Sequence, residues 1–245
     1  MFANLKLAMT KERPVSFVPK GVLFLLIISF FSQVSWHALR PVPAASISKM
    51  PTPPRIDVLE IISMGEQSTL SRLLMLWLQA FDNQPGVSIP FKQLDYDRVI
   101  AWLDTILKLD PHSQYPLLSA ARVYSEVPDE VKERKMLSFV YDKFLERPDE
   151  RWMWMAHAVY VAKHKIKDLN LALTYAKALR IHATAKTIPS WAKQMELFVL
   201  EDLGEVEQAK ILLGGLIESG VIKDEHEIRF LTQRLEGDSP VRDSN

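Results

Sequence analysis

The sequence predicts an all-α protein: a row of about four helix hairpins, closed by a C-terminal capping helix and preceded by one transmembrane helix. Three observations predict it. One uncharged apolar stretch near the N-terminus has the length of a bilayer crossing. The remainder reads as amphipathic segments broken by proline, aspartate or glycine. Four of those segments recur at a nearly constant spacing.

Residues 21–39, GVLFLLIISFFSQVSWHAL, contain no Asp, Glu, Lys or Arg and are long enough as a helix to cross about 30 Å of hydrocarbon. Lys6, Lys11, Arg13 and Lys20 precede the span, and Arg40 and Lys49 are the nearest basic residues after it. This bias keeps residues 1–20 cytoplasmic and sends everything beyond the span to the other side. Trp36 falls near the far interface, and His37 reads as interfacial too. The competing reading is a cleaved secretory signal, since Val42-Pro43-Ala44 offers small residues; the length of the apolar run, Arg40, Pro41 and Pro43 stand against it. Both readings put the main domain outside the cytoplasm. Residues 40–55, RPVPAASISKMPTPPR, carry five prolines and predict a partly extended stalk.

From residue 56 to 236 the pattern is helical, with residues 237–245 as a flexible tail. The segments 96–111, 134–149, 169–184 and 206–220 align so that Val99, Met136, Ala172 and Ala209 are equivalent, at spacings of 37, 36 and 37 residues. That is close to the period of a helix-turn-helix repeat. The first helices of the pairs are expected at 67–81, 113–126, 151–165 and 189–203. A last helix at 224–235 has Asp224 as N-cap and Glu227 three residues on, with Ile228, Leu231 and Leu235 on one side. A single hairpin cannot cover its own apolar stripe, so neighbouring pairs must stack to exclude water.

These segments resemble the tetratricopeptide (TPR) family. Val99, Leu103, Ile106 and Leu109-Asp110-Pro111 fit the second helix and its closing proline, while Leu203-Gly204-Glu205-Val206 with Ala209, and Lys167-Asp168-Leu169 with Ala172 and Ala176, fit the inter-helix turn. The chain departs from that family where Val99 and Met136 replace a small residue, in its longer period, and in the loop at 82–95. The stretches LWLQAFDNQPG, LDYDRVIAWLDTILKLDP and RWMWMAHA also make residues 70–236 similar to a group of uncharacterised bacterial membrane-anchored TPR-like proteins. That resemblance implies an inner-membrane protein with a periplasmic domain, and implies no particular activity.

The inner surface of such a solenoid is lined by first helices. In the third pair Trp154, His157, Val161, His164 and Lys165 share the inward spacing; Arg122 and Tyr124 on the preceding first helix, and Trp191, Gln194, Phe198 and Glu201 on the following one, extend it. One reading is a groove for a peptide, with Trp154 supplying apolar area and His157, His164 and Lys165 orienting a polar or carboxylate-bearing segment. The other is a core tryptophan beside partly exposed histidines. Trp152, two residues from Trp154, cannot share its face and is expected to pack between repeats. Zinc is disfavoured, because His157 and His164 lie two turns apart with no carboxylate on that helix to complete a set. In the loop at 82–95, Ile89 and Phe91 are expected to tuck against the first hairpin; Asp95 and Asp97 read as helix-capping carboxylates.

The remaining evidence excludes classes. Basic and acidic residues balance at 30 each, so no global field recruits nucleic acid. Cysteine is absent, which removes disulfides, thiolate ligands and a cysteine nucleophile, and 8 scattered glycines form no phosphate-cradling loop. No nucleophile elbow or catalytic carboxylate pair is visible, so no enzymatic activity, cofactor or small-molecule substrate is expected. The functional expectation is a membrane-anchored adaptor or assembly scaffold that binds a partner protein; the alternative is a structural accessory subunit of a larger membrane complex.

Overall fold

The computed structural model describes residues 18–39, 49–84 and 87–237. Most of the predicted cytoplasmic segment, most of the stalk, Gly86 and the tail lie outside them. The chain divides into two units, 1–46 and 47–245.

In the first unit α1 (Lys20–Leu39) is a single helix of 20 residues with no buried side chain. It is the one helix among the described residues long and apolar enough to cross a membrane. Phe24, Leu25, Leu26 and Phe31 are all more than half exposed, and such a surface in water has no compensating contact.

The second unit is almost wholly helical: α2 (Ile56–Ile62), α3 (Gln67–Ala80), α4 (Tyr96–Leu109), α5 (Tyr115–Arg122), α6 (Glu130–Glu146), α7 (Pro148–Val161), α8 (Leu169–His182), α9 (Ser190–Asp202), α10 (Val206–Glu218) and α11 (Glu225–Leu235). From α3 onward each helix packs against the next in sequence, and α4 also touches α6, α5 touches α7, and α7 touches α9. The four register positions, Val99, Met136, Ala172 and Ala209, lie on α4, α6, α8 and α10 and are all fully buried. Three of these helices begin with an aspartate cap: Asp95 accepts from the amides of Asp97 and Arg98, Asp129 from Lys132, and Asp168 from Leu171. Asp97 does not cap; it pairs with Lys135 at 2.7 Å.

Polar contacts between distant residues recur at about one period. Lys135 meets Asp97, Arg134 meets Asp168 at 2.8 Å, Lys163 meets Asp202 at 2.5 Å, and Asp149 accepts from the amides of Thr184 and Ala185. Arg151, almost fully buried, donates to the Pro111 carbonyl at 3.0 Å and to the Lys143 carbonyl at 2.6 Å, tying the start of α7 to the turn after α4. The turns before α8 and α10 repeat as well: Lys167 and Gly204 both adopt left-handed backbone, with φ of 61° and 80°. Glycine does so at little cost, whereas lysine there costs about 1–2 kcal/mol.

Two apolar cores meet on α9. The larger runs from Met50 to Val199, and the smaller joins Leu197 and Leu200 to Ala209, Leu213, Leu216, Ile222, Leu231 and Leu235.

The structure differs from expectation in four places. The second first-helix, expected over 113–126, is α5 followed by a separate 3-10 turn, Tyr124–Glu126, so Tyr124 leaves the face of Arg122 and is buried, its carbonyl accepting from the Tyr96 hydroxyl at 2.9 Å. Secondly, α7 begins at Pro148, which needs no amide partner in a first turn, and ends in a π-helical turn, Ala162–Ile166. Thirdly, the end of the stalk is packed: Met50 is buried and the Trp102 indole donates to the Pro51 carbonyl at 2.9 Å. Finally, the loop at 82–95 carries a short antiparallel pair, Asn83–Gln84 with Val87–Ser88, where no strand was expected. In that loop Ile89 is buried and Phe91 sits edge-on to Tyr124 at 5.7 Å, as expected.

Candidate functional site

The predicted face is built on α5, α7 and α9, and the structure sorts its residues into surface and interior. Trp154 is half-buried, its indole donating to the Gln114 side chain at 2.7 Å, so it anchors α7 to the start of α5. Val161 and Gln194 are buried. Gln194 donates to Glu227 of α11 at 2.9 Å, and neither residue offers surface to a partner. Lys165 is taken up within the fold, meeting the Ser125 carbonyl at 2.7 Å and Glu133 at 3.0 Å. The π-helical turn alters the phase, because its wider loops rotate the chain less per residue, so the α-helical register drawn from Trp154 no longer holds at Lys165. Arg122 is exposed. Trp191, about half exposed, meets the half-buried Trp152 edge-on at 5.6 Å, which gives Trp152 the inter-repeat packing role expected of it.

His157 is half-buried, and its Nε2 is among the buried side-chain atoms without a hydrogen-bond partner. Burial holds its imidazole below the ordinary histidine value, and the positive charge of Arg122 pushes the same way against the weaker pull of Glu126. The residue therefore stays neutral at pH 7 and stacks against Tyr160, ring centroids 6.1 Å apart; Tyr160 in turn lies 4.8 Å from the His164 ring.

Tyr160, more than half exposed, was missing from the predicted set although it stands three residues after His157 and four before His164. With Val159, Lys163 and His164 from the end of α7, Met195, Phe198 and Val199 from α9, and Arg234 from α11, it lines a cleft of ≈ 300 Å³. The Arg234 guanidinium lies 5.1 Å above the Phe198 ring while its Nε donates to Glu201 at 2.7 and 2.9 Å. Lys163 is occupied by Asp202. Both cations are thus neutralised, and what the cleft presents is aromatic and amphipathic: a phenol, an imidazole and a phenyl ring rather than a free charge.

A wider groove of ≈ 830 Å³ lies between α3 and the turn into α5, lined by Ser68, Arg72 and Leu76 of α3 and by Asp110, His112, Ser113, Gln114 and Tyr115. Tyr115 donates to Gln79 at 2.7 Å there. Among the described residues no three His, Asp or Glu side chains are grouped as a metal ion would need. No family model, no curated protein and no solved structure matches the chain, so its function is read from these faces alone.

Proposed function

We propose that the chain is a single-pass membrane-anchored adaptor, with α1 fixed in a bacterial inner membrane and the second unit acting as a TPR-like solenoid that binds a protein partner on the periplasmic side. The helix supports the anchor: about 20 apolar residues rise about 30 Å, the thickness of the hydrocarbon layer. The placement of basic residues before it supports the orientation. The buried register positions and the polar contacts one period apart support a row of hairpins, in which each pair rests only on its neighbours.

The observation that carries the binding role is the cleft of Tyr160, His164 and Phe198. Rigid aromatic area with polar edges, exposed on a face of several helices, suits an extended or helical segment bearing one large apolar residue beside hydrogen-bonding groups. Anchoring would raise the effective concentration of such a partner near the bilayer.

The test is co-purification from detergent-solubilised membranes, comparing the native chain with Tyr160→Ala/His164→Ala. Both side chains are exposed, so the variant keeps its helical content. A specific protein recovered with the native chain and lost from the folded variant is the expected result. Recovery of the same proteins with both removes the cleft from the account.

A further inference from the structure

At the start of the second unit α2 and α3 leave apolar side chains exposed among the described residues. The seven residues of α2 bury only Leu59, while Val58, Ile61 and Ile62 are 43%, 77% and 58% exposed; Met64 in the following turn is 91% exposed, and Leu73 on α3 is 56% exposed. Trp77 of α3 is also partly open and packs on Trp102, ring centroids 4.6 Å apart. Trp102 is the residue that holds the Pro51 carbonyl. The chain therefore enters this unit beside α2 and α3, whose apolar side chains are uncovered. Ten peptide steps separate Leu39 at the end of α1 from Lys49, at most about 35 Å of fully extended chain.

We propose that the α2–α3 corner rests in the lipid interface, with Ile61, Ile62, Met64 and Leu73 entering the boundary between headgroups and acyl chains. This rests on the reading of α1 as a membrane anchor. A bilayer is the one apolar phase that the anchor holds permanently within reach of this corner, and a short leash makes even weak burial persistent. Apolar side chains gain by leaving water for the acyl boundary, and a partly exposed indole suits the interface. Charges around the corner are of both signs: Arg55 pairs with Asp57 at 2.9 Å, and Arg72, Glu60 and Glu66 are exposed. The contact is accordingly apolar in origin and insensitive to salt.

The absence of cysteine permits a direct test on the full chain. Ile61→Cys, Met64→Cys and, on the exposed face of α10, Ile211→Cys each receive a nitroxide label and are reconstituted into phosphatidylethanolamine/phosphatidylglycerol vesicles. Labels at 61 and 64 are expected to be shielded from a water-soluble nickel complex and open to oxygen, at low and high salt alike, with the label at 211 showing the reverse. Labels at 61 and 64 as open to nickel as the one at 211 overturn the inference. So does spin–spin broadening at 61 or 64 that is lost on dilution with unlabelled chain, which assigns the corner to a second copy. Release of the chain from vesicles at alkaline pH removes the anchor reading together with this inference, whereas a retained chain with water-exposed labels removes the inference alone.

Discussion

At the C-terminal end of the second unit, α11 lays Leu231 and Leu235 on the smaller core and turns Glu225, Arg229 and Gln233 to solvent; at the N-terminal end α2 buries Leu59 and leaves Val58, Ile61 and Ile62 uncovered. The caps differ likewise. Asp224 accepts from the amides of His226 and Glu227, whereas Arg55 at the start of α2 makes no side-chain cap. Polar ties complete the contrast: Glu227 accepts from Ser190 and Gln194 of α9, and Arg234 donates to Glu201, so α11 is fastened by side chains as well as by its apolar stripe. A row of packed helices has to dispose of an apolar face at each end. Here one end is closed by a helix whose outer surface is polar apart from the half-exposed Phe230, while among the described residues the other end leaves the apolar side chains of α2 uncovered.

The largest test of this contrast is Leu231→Ala. A fully packed leucine is removed from the small core, and a loss of about 2–5 kcal/mol is expected in urea unfolding of the detergent-solubilised chain. A loss below about 0.5 kcal/mol would mean that α11 does not seal the core.

An intermediate effect comes from pH. Hydrogen bonds from the Glu227 and His226 amides hold the Asp224 carboxyl below its ordinary value of 3.8. Its contribution is therefore fully present above pH 3.8 and is lost as the pH falls through the lowered native value. Amide hydrogen exchange should show α11 fraying in that window, with Asp224→Ala frayed already at neutral pH; α2, which lacks such a cap, should not follow. Equal fraying of both helices would erase the distinction.

The smallest expected stability change is that of Ile61→Ser, within about 0.5 kcal/mol in detergent, because most of the side chain is uncovered. The same substitution should weaken the shielding of a label at Met64 in vesicles. A loss of several kcal/mol in detergent would show that Ile61 is packed against protein and would remove the difference between the two ends.

Much of the fold was legible in the residues. The spacing of Val99, Met136, Ala172 and Ala209 located the buried side of four helices, and Asp95, Asp168 and Asp224 marked helix starts that their side chains do cap. The candidate face was legible only in part. Extrapolating one helical register placed Val161, Gln194 and Lys165 on the surface, but the structure buries the first two and ties the third to Glu133. Tyr160, beside that register, was passed over and lies more than half exposed. Glu227 fits the capping-box spacing, yet its carboxylate is turned to Gln194 and Ser190.

The sequence by itself determined the local matters: the apolar span, the presence and order of most helices, and which side of four of them is buried. Each depends on residues within a few positions of one another, through backbone hydrogen bonds, caps and the 3.6-residue turn. Only the tertiary structure decided which exposed-looking side chains are covered, because the cover arrives from about one period away. Gln114 beneath Trp154, Ser125 beneath Lys165, Glu227 over Gln194 and Trp102 holding Pro51 are contacts across 33 to 51 residues. A periodic pattern says which way a side chain points, and the fold supplies what stands there to meet it.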